Sequence, residues 1–447
     1  MKNDVDSIRQ EYIDYIDGHM EEAKEGTVSW RENLERSALF AKGEITSRPL
    51  MIPRIYKKET IREFERIADT TYRILTKVIR EYIRCEEYRK LFPFPKELEE
   101  LILVPTGYDS LLPLTRMDIF YHEDTGEFDF CEINADGSTG MDEDRIEDDM
   151  MIHNAAHQEV LRHHALKTFE LLDSWVESFL SMYGGYDKRV EHPTVAIIDF
   201  LDKGIVREFE EFVRRFQRHG VNCEICDIRE LTYKEGTLYS RRGHRIDAIY
   251  RRAVTADIME HFDEVGDFLS AVRDQKVFMA GAFCTQIVHH KWIFHVLHLP
   301  RTRELLTGDE NAFVEKHVPR TLPLAPAWIA LEEVLDNKDR YIIKPDDAYG
   351  SKGVFAGVTM DQAAWESRVK EVYGTSCICQ TYCPQYVDQN MDVLYDFGTW
   401  REFINSTGLY VYNGTFRGVL ARAAASSGTI DFYDNERRQV VYQWLDR

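Results

Sequence analysis

The amino-acid sequence predicts an α+β protein with three regions: a helical N-terminal part, a parallel α/β region and a C-terminal region of mixed and antiparallel strands. Three observations carry this. Apolar residues recur at spacings of three and four through much of the first hundred residues. Short apolar strands alternate with helical segments from about residue 190 to 282. β-rich runs separated by turn signals close the chain.

The first clear element is ETIREFERIADTTYRILTKVIREYIRCEEYRKLF. It sets Ile61, Phe64, Ile67, Ala68, Tyr72, Leu75, Val78 and Ile79 along one stripe, which predicts an amphipathic helix of about nine turns. TRMDIFYHEDTGEFDFCEINADGSTG follows, with two alternating runs around a turn near HEDTGE. The next stretch, RIEDDMMIHNAAHQEVLRHHALKTFELLDSWVESFLSMY, predicts a second long helical run. Past Gly184, PTVAIIDF predicts a buried strand, and VREFEEFVRRFQRHG a helix with Gly220 at its C-terminal end. VNCEICDI, IDAIYRR and KVFMAG predict further short strands. No G-x-G-x-x-G follows the first of these strands, so no dinucleotide fingerprint is read. RYIIKPDDAYGSKGVFAGV then predicts strand, glycine loop and strand. A helix is expected around Asp361–Val372, and a strand over CICQTY. In LYVYNGTFRGVLARAAAS, the Asn413-Gly414 pair between two β-rich runs signals a hairpin. The expected divisions are 1–110, 111–185, 186–300 and 301–447, with no internal repeat.

A chain of 447 residues with 44% hydrophobic and 12% aromatic residues can bury a sizeable interior. Lys and Arg number 56 against 78 Asp and Glu, a formal net charge of −22. That balance argues against a general affinity for nucleic acid, while a small anionic substrate held by a few placed cations stays open. The polar start MKNDVDSIRQ has no apolar core of signal-peptide length, and no window approaches the ~20 apolar residues of a membrane span. Eight cysteines scattered through apolar segments fit reduced thiols, so a cytoplasmic protein is expected.

Several groups could carry chemistry. Alternation along a strand puts Arg116 and Asp118 on one face, and Glu132 and Asn134 on one face of the partner. Two carboxylates and an amide oxygen suit a hard cation such as Mg²⁺, and the arginine suits a carboxylate or a developing phosphoryl charge. A solvated edge hairpin with surface salt bridges is the alternative. Lys344, delivered by YIIK ahead of Gly350, Ser351, Lys352 and Gly353, could meet phosphate oxygens cradled by backbone N–H groups. A plain hairpin turn with a surface lysine is the commoner explanation of such a pattern. Lys291 reads as an ordinary residue at the start of an apolar helix. Arg417 and Arg422 could face an anion or decorate a hairpin surface. His153 and His157, with His163 and His164 beyond, lack a third zinc ligand. Cys223 and Cys226 lack a second C-x-x-C, so buried thiols are expected.

Taken in order, Arg116-x-Asp118, Glu132-x-Asn134-Ala135-Asp136, Lys291, IIKP with its glycine loop, and CICQ resemble the ATP-grasp domain of the glutathionylspermidine synthetase-like family. The likeness runs from roughly Arg116 to the C-terminus. The acidic pair precedes Lys344, as in the circularly permuted branch. The resemblance implies a circularly permuted ATP-grasp fold with a Rossmann-like pre-ATP-grasp domain. It implies that Asp118, Glu132 and Asn134 bind two Mg²⁺ ions bridging the ATP phosphates, and that Arg116 steadies the transition state. Lys291 and Lys344 would contact phosphates, with Gly350, Ser351, Lys352 and Gly353 closing over them. Gln380, Thr381 and Tyr382 would supply the adenine hinge, and Arg422 would lie near the phosphates or the acyl-phosphate. The implied reaction joins a small-molecule or peptide carboxylate to an amine acceptor through an acyl-phosphate. The family's amidase domain has no counterpart before the hairpin. NADGSTG also departs from the family's NADTPT-like segment, so Asp136, Ser138 and Thr139 are read as substrate-facing. A kinase-like phosphotransferase and a catalytically inactive nucleotide-binding scaffold are the competing expectations.

Overall fold

A computed structural model of the chain describes residues 4–37, 39–41, 44–204, 206–425, 429–430 and 436–445. Two N-terminal helices, α1 (Asp4–Gly18) and α2 (Met20–Arg36), bury Ile8, Tyr12, Ile16, Trp30 and Leu34 in a core shared with Ile146, Val160, Met391 and Tyr442. Helix α3 (Lys58–Arg84) carries the long apolar stripe. It ends after 27 residues, short of the nine turns expected, because Cys85 takes extended backbone at φ −121° and ψ 109°. The break lets Phe92 and Phe94 return to Tyr82, with ring centroids 5.2 and 6.0 Å away.

The strands β1 (Leu114–Tyr121) and β2 (Phe128–Asn134) pair antiparallel, as the sequence predicts. The helical run expected next is broken into α4 (Met141–Met151), α5 (Ala155–His163) and α6 (Leu172–Gly184). Two local features break it. Asn154 caps α5 through its side-chain oxygen, which accepts from His157 N at 3.1 Å. Ala165–Lys167 leaves the helix to pair with the strand Val441–Leu445.

The middle region follows the predicted alternation: β3 (Thr194–Asp199), α7 (Val206–Arg218), β4 (Asn222–Asp227), β5 (Ala248–Arg251) and β6 (Phe278–Ala280). Its four strands are parallel in the order β6-β5-β3-β4. A second four-stranded sheet, antiparallel, has the order β7-β10-β8-β9, from β7 (Thr321–Pro323), β8 (Tyr341–Pro345), β9 (Phe355–Ala356) and β10 (Cys377–Thr381). Helix α8 (Gln362–Val372) packs on it, with Trp365 and Val369 buried.

The chain closes on β11 (Val387–Asn390), β12 (Arg401–Tyr412), β13 (Thr415–Ala424) and β14 (Glu436–Gln439). These join β1 and β2 in a six-stranded antiparallel sheet of order β14-β13-β12-β1-β2, with β11 also on β12. The hairpin at Asn413-Gly414 is present, with φ of +45° and +82° at the two positions, as a mirror-image turn requires. This sheet is two-faced. Met117, Ile119, Ile133, Leu409, Val419 and Ala421 share one face and form one core with Ile61, Phe64, Ile67 and Leu75 of α3. The alternate positions face the other way, among them Arg116, Asp118, Glu132 and Asn134 of the hairpin. Among the described residues, no helix is long and apolar enough to cross a membrane.

Candidate active site

The register of β1 and β2 sets Arg116 opposite Asn134 and Asp118 opposite Glu132, with a bulge just past Asp118. The two predicted pairs therefore meet across one ladder. Arg116 grips Asp118 with two parallel bonds, Nε to Oδ1 at 2.8 Å and Nη2 to Oδ2 at 3.0 Å. Its remaining nitrogen, Nη1, donates to the Thr139 carbonyl at 3.0 Å. Asn134 Nδ2 donates to Asp118 Oδ2 at 3.0 Å and to Glu132 Oε1 at 3.1 Å. Arg422, reaching over from β13, also donates to Asp118 Oδ2.

The hairpin is not a solvated edge. Asp118 is fully buried and Arg116 only 7% exposed. Gly408 of β12 sits directly opposite Asp118. A Cβ there would lie 2.8 Å from Asp118 Oδ1 and 3.0 Å from Arg116 Cδ, so the arginine stem lies across bare backbone.

Cations converge on this face from separate elements. Burial opposes ionisation of Glu132, but Lys291, Arg422, the Asn134 amide and Lys344 outweigh it and hold the carboxyl well below the usual carboxylate range. Lys344, buried on β8, donates to Gln380 Oε1 at 2.7 Å and to the Cys131 carbonyl at 3.1 Å. Gln380 is oriented in turn by its Nε2 bond to Thr321 Oγ1 at 3.0 Å. Lys291 lies in the turn between the short helices Gln286–His289 and Ile293–Val296, not at the head of a longer helix as expected. Burial pushes its ammonium below the ordinary value, with Glu132 opposing that shift and Lys344 adding to it. Lys291 Nζ donates to the Ala348 carbonyl at 2.6 Å, which ties it to the start of the glycine loop.

In that loop Gly350, Ser351 and Gly353 have φ of +65°, +60° and +77°. Gly353 packs where a Cβ would meet Pro345 Cγ at 2.9 Å. Ser351 Oγ donates to the Ile430 carbonyl at 3.0 Å, and Lys352 is exposed.

Of the other expected residues, Gln380, Ser138 and Thr139 contact this group and the rest lie apart from it. Gln380 turns its side chain to Lys344, so it orients a cation within the sheet; Thr381 is exposed, and the Tyr382 hydroxyl donates to Gln385 at 3.0 Å. Asp136 is not open to a substrate. It is buried against Arg251, 2.8 Å away. The Ser138 hydroxyl donates to the Asn134 carbonyl at 2.8 Å, and Thr139 contributes its carbonyl. Arg417 is exposed on the β12–β13 hairpin. His153 lies in the turn before α5, whereas His157 is buried against the Tyr12 hydroxyl at 2.6 Å, and burial lowers its pKa to about 4. Burial raises Cys223 and pushes Cys226 up to about 12, as suits inert thiols. Sequence reasoning does not single out Gly408, or Tyr410, whose hydroxyl donates to the Thr139 carbonyl at 2.6 Å. A glycine inside the β-rich run INSTGLYVY is the signal for Gly408.

For a divalent cation, Asp118, Glu132 and Asn134 offer an oxygen-only set in which the half-buried Glu132 is held ionised by its cationic neighbours, which fits Mg²⁺ chemistry. The fit needs the Asn134 amide to turn its oxygen inward and Arg422 to release Asp118 Oδ2. Among the described residues, no cluster of three or more His, Cys, Asp or Glu offers an alternative metal site.

No family model and no curated protein sequence matches the chain. Among solved structures it is similar to a glutathione synthetase-like effector from Globodera pallida, at 10% identity and a TM-score of 0.58, over 94% of this chain and 96% of that one. It is also similar to a putative γ-glutamylcysteine synthetase from Methylobacillus flagellatus (11% identity, TM-score 0.43, 85% of this chain and 86% of that one). A D-cycloserine synthetase matches at 14% identity and a TM-score of 0.32, over 57% of this chain and 75% of that one. The first of these likenesses identifies the fold as the glutathione synthetase-like, ATP-grasp one.

Proposed function

We propose that this fold works as an ATP-dependent carboxylate–amine ligase with a circularly permuted ATP-grasp core of the glutathionylspermidine synthetase-like kind. One observation carries the reading: Arg116, Lys291, Lys344 and Arg422, from four separate elements, gather around Asp118 and Glu132 on one largely buried sheet face. Such a gathering of cations is costly to bury. It suits a reaction that brings two anions together.

In this reading the acid's carboxylate oxygen takes the γ-phosphoryl group of ATP and ADP leaves. The amine nitrogen then attacks the acyl carbon, phosphate departs with the C–O bonding pair, and the nitrogen loses a proton to give the amide. Bound Mg²⁺, held by Asp118, Glu132 and Asn134, would neutralise phosphate charge. Arg116 and Arg422 would hold the negative charge that gathers on the transferring group. Lys291 and Lys344 would meet the phosphates, with the Gly350–Gly353 loop beside them, and Gln380 keeps Lys344 in place. The test is a screen of acids and amines for ADP release, with products identified by mass spectrometry. A product weighing the sum of acid and amine less one water is expected.

A second reading, a nucleotide-binding scaffold without turnover, is favoured by one detail. Asp118 already accepts from Arg116, Asn134 and Arg422. Nucleotide binding without ADP release for any acid–amine pair would select it.

A further inference from the structure

The loop between β2 and α4, residues 135–140, is fastened to the parallel sheet at both ends. At one end Asp136 and Arg251 form an ion pair of 2.8 Å with both side chains fully buried, and Asp136 Oδ2 accepts from Thr255 N at 2.6 Å. Arg251 is fixed in turn: Nη1 donates to the Ala253 carbonyl at 2.7 Å, and its guanidinium lies 5.0 Å from the Phe283 ring centre. At the other end Glu208 of α7 pairs with Arg252 Nη2 at 2.9 Å. The other Glu208 oxygen accepts from Gly140 N at 3.2 Å and Met141 N at 3.1 Å, the opening amides of α4. Gly137, at φ +61°, presses so close that a Cβ would sit 2.7 Å from the Arg252 carbonyl.

The place is notable. Arg251 ends β5, which neighbours β3 where the strand order β6-β5-β3-β4 reverses. Open parallel sheets usually receive a ligand at that carboxyl edge. Here the chain's own Asp136 carboxylate lies against it. Between the two fastenings the Thr139 carbonyl accepts both from Arg116 Nη1 at 3.0 Å and from the Tyr410 hydroxyl at 2.6 Å.

We propose that Asp136–Arg251 and Glu208–Arg252 are positioning pairs for Arg116, holding the Thr139 carbonyl so that the guanidinium stays locked on Asp118. The catalytic importance of that lock rests on the ligase reading above, but the lock itself can be tested without turnover. Breaking one side of a buried pair strands a charge and threatens folding. The neutral pair Asp136→Asn/Arg251→Gln is therefore made beside Asp136→Asn and Glu208→Gln. In arginine-labelled protein, the Arg116 Nε–Hε signal is assigned by its loss in Arg116→Lys, and its exchange with water is measured. Exchange at least about tenfold faster in the folded paired variant is expected; unchanged exchange overturns the proposal. If the acid–amine screen yields a reaction, kcat should fall by about tenfold or more while KM for ATP stays within about twofold. An unchanged kcat likewise overturns it. If the screen yields none, the ligase reading suffers and the exchange measurement still decides this one.

Discussion

Replacing Gly408 with alanine puts a methyl group against the Arg116–Asp118 pair. The new Cβ would lie 2.8 Å from Asp118 Oδ1, 3.0 Å from Arg116 Cδ and 3.1 Å from Arg116 Cγ, where ordinary contact begins at 3.4 Å. Restoring contact distance means moving the carboxylate by about 0.6 Å and the arginine stem by about 0.4 Å. Neither has room, because Asp118 is fully buried and held by three donor residues. Overpacking of this kind costs about 1–3 kcal/mol. A displacement of about 1 Å at a reacting centre costs on the order of a hundredfold in rate, so a shift of this size should cost about tenfold or more. The assay pairs thermal melting with ATP-dependent ADP release. Gly184→Ala, at a helix end with nothing within 4 Å, serves as the control and should be silent in both. Gly408→Ala with wild-type melting and wild-type ADP release would refute the close packing of Arg116 on β12.

Other expectations follow from the same geometry. Lys344→Ala should weaken nucleotide binding measured by calorimetry, and Gln380→Ala should do so more mildly because it only frees Lys344; equal affinity across the three proteins counts against the phosphate role. Glu132→Ala and Asn134→Ala should each abolish Mg²⁺-dependent ATP turnover with melting retained, and normal turnover in both would remove the metal assignment. Glu147 supplies a pH test. Burial first, then the charges of Glu143 and Glu436, lift its carboxyl from 4.5 to about 7 against the opposing Ser47 and Arg438. Between those two values the folded state keeps a proton that the unfolded chain has lost, so stability falls as pH rises through the window. Relative to Glu147→Gln, the wild type should lose about 1–3 kcal/mol between pH 5 and pH 8 in denaturant melts. A constant difference across that range would contradict it.

The hairpin was legible because strand alternation alone pairs Arg116 with Asp118 and Glu132 with Asn134. The strands of the parallel sheet announced themselves as short apolar runs. Helix ends were less legible. The break at Cys85 depends on Phe92 and Phe94 finding Tyr82, and the break at Ala165–Lys167 depends on a partner strand at the far end of the chain. Side-chain direction was the largest gap. Asp136 belongs to Arg251, and Gln380 to Lys344; both pairings are set by sheet packing between distant segments. Gly408 could have been singled out, since a glycine inside a long β-rich run asks what approaches it.

The central claim is that the Asp118–Glu132–Asn134 face binds nucleotide through a divalent cation. Calorimetric titration of ATP into the wild type and Glu132→Ala, each with and without Mg²⁺, tests it most directly. Binding in the wild type that strengthens at least about tenfold with Mg²⁺, and that loses this dependence in Glu132→Ala, is the expected result. Absence of ATP binding in the wild type, or the same Mg²⁺ dependence in both proteins, would contradict it.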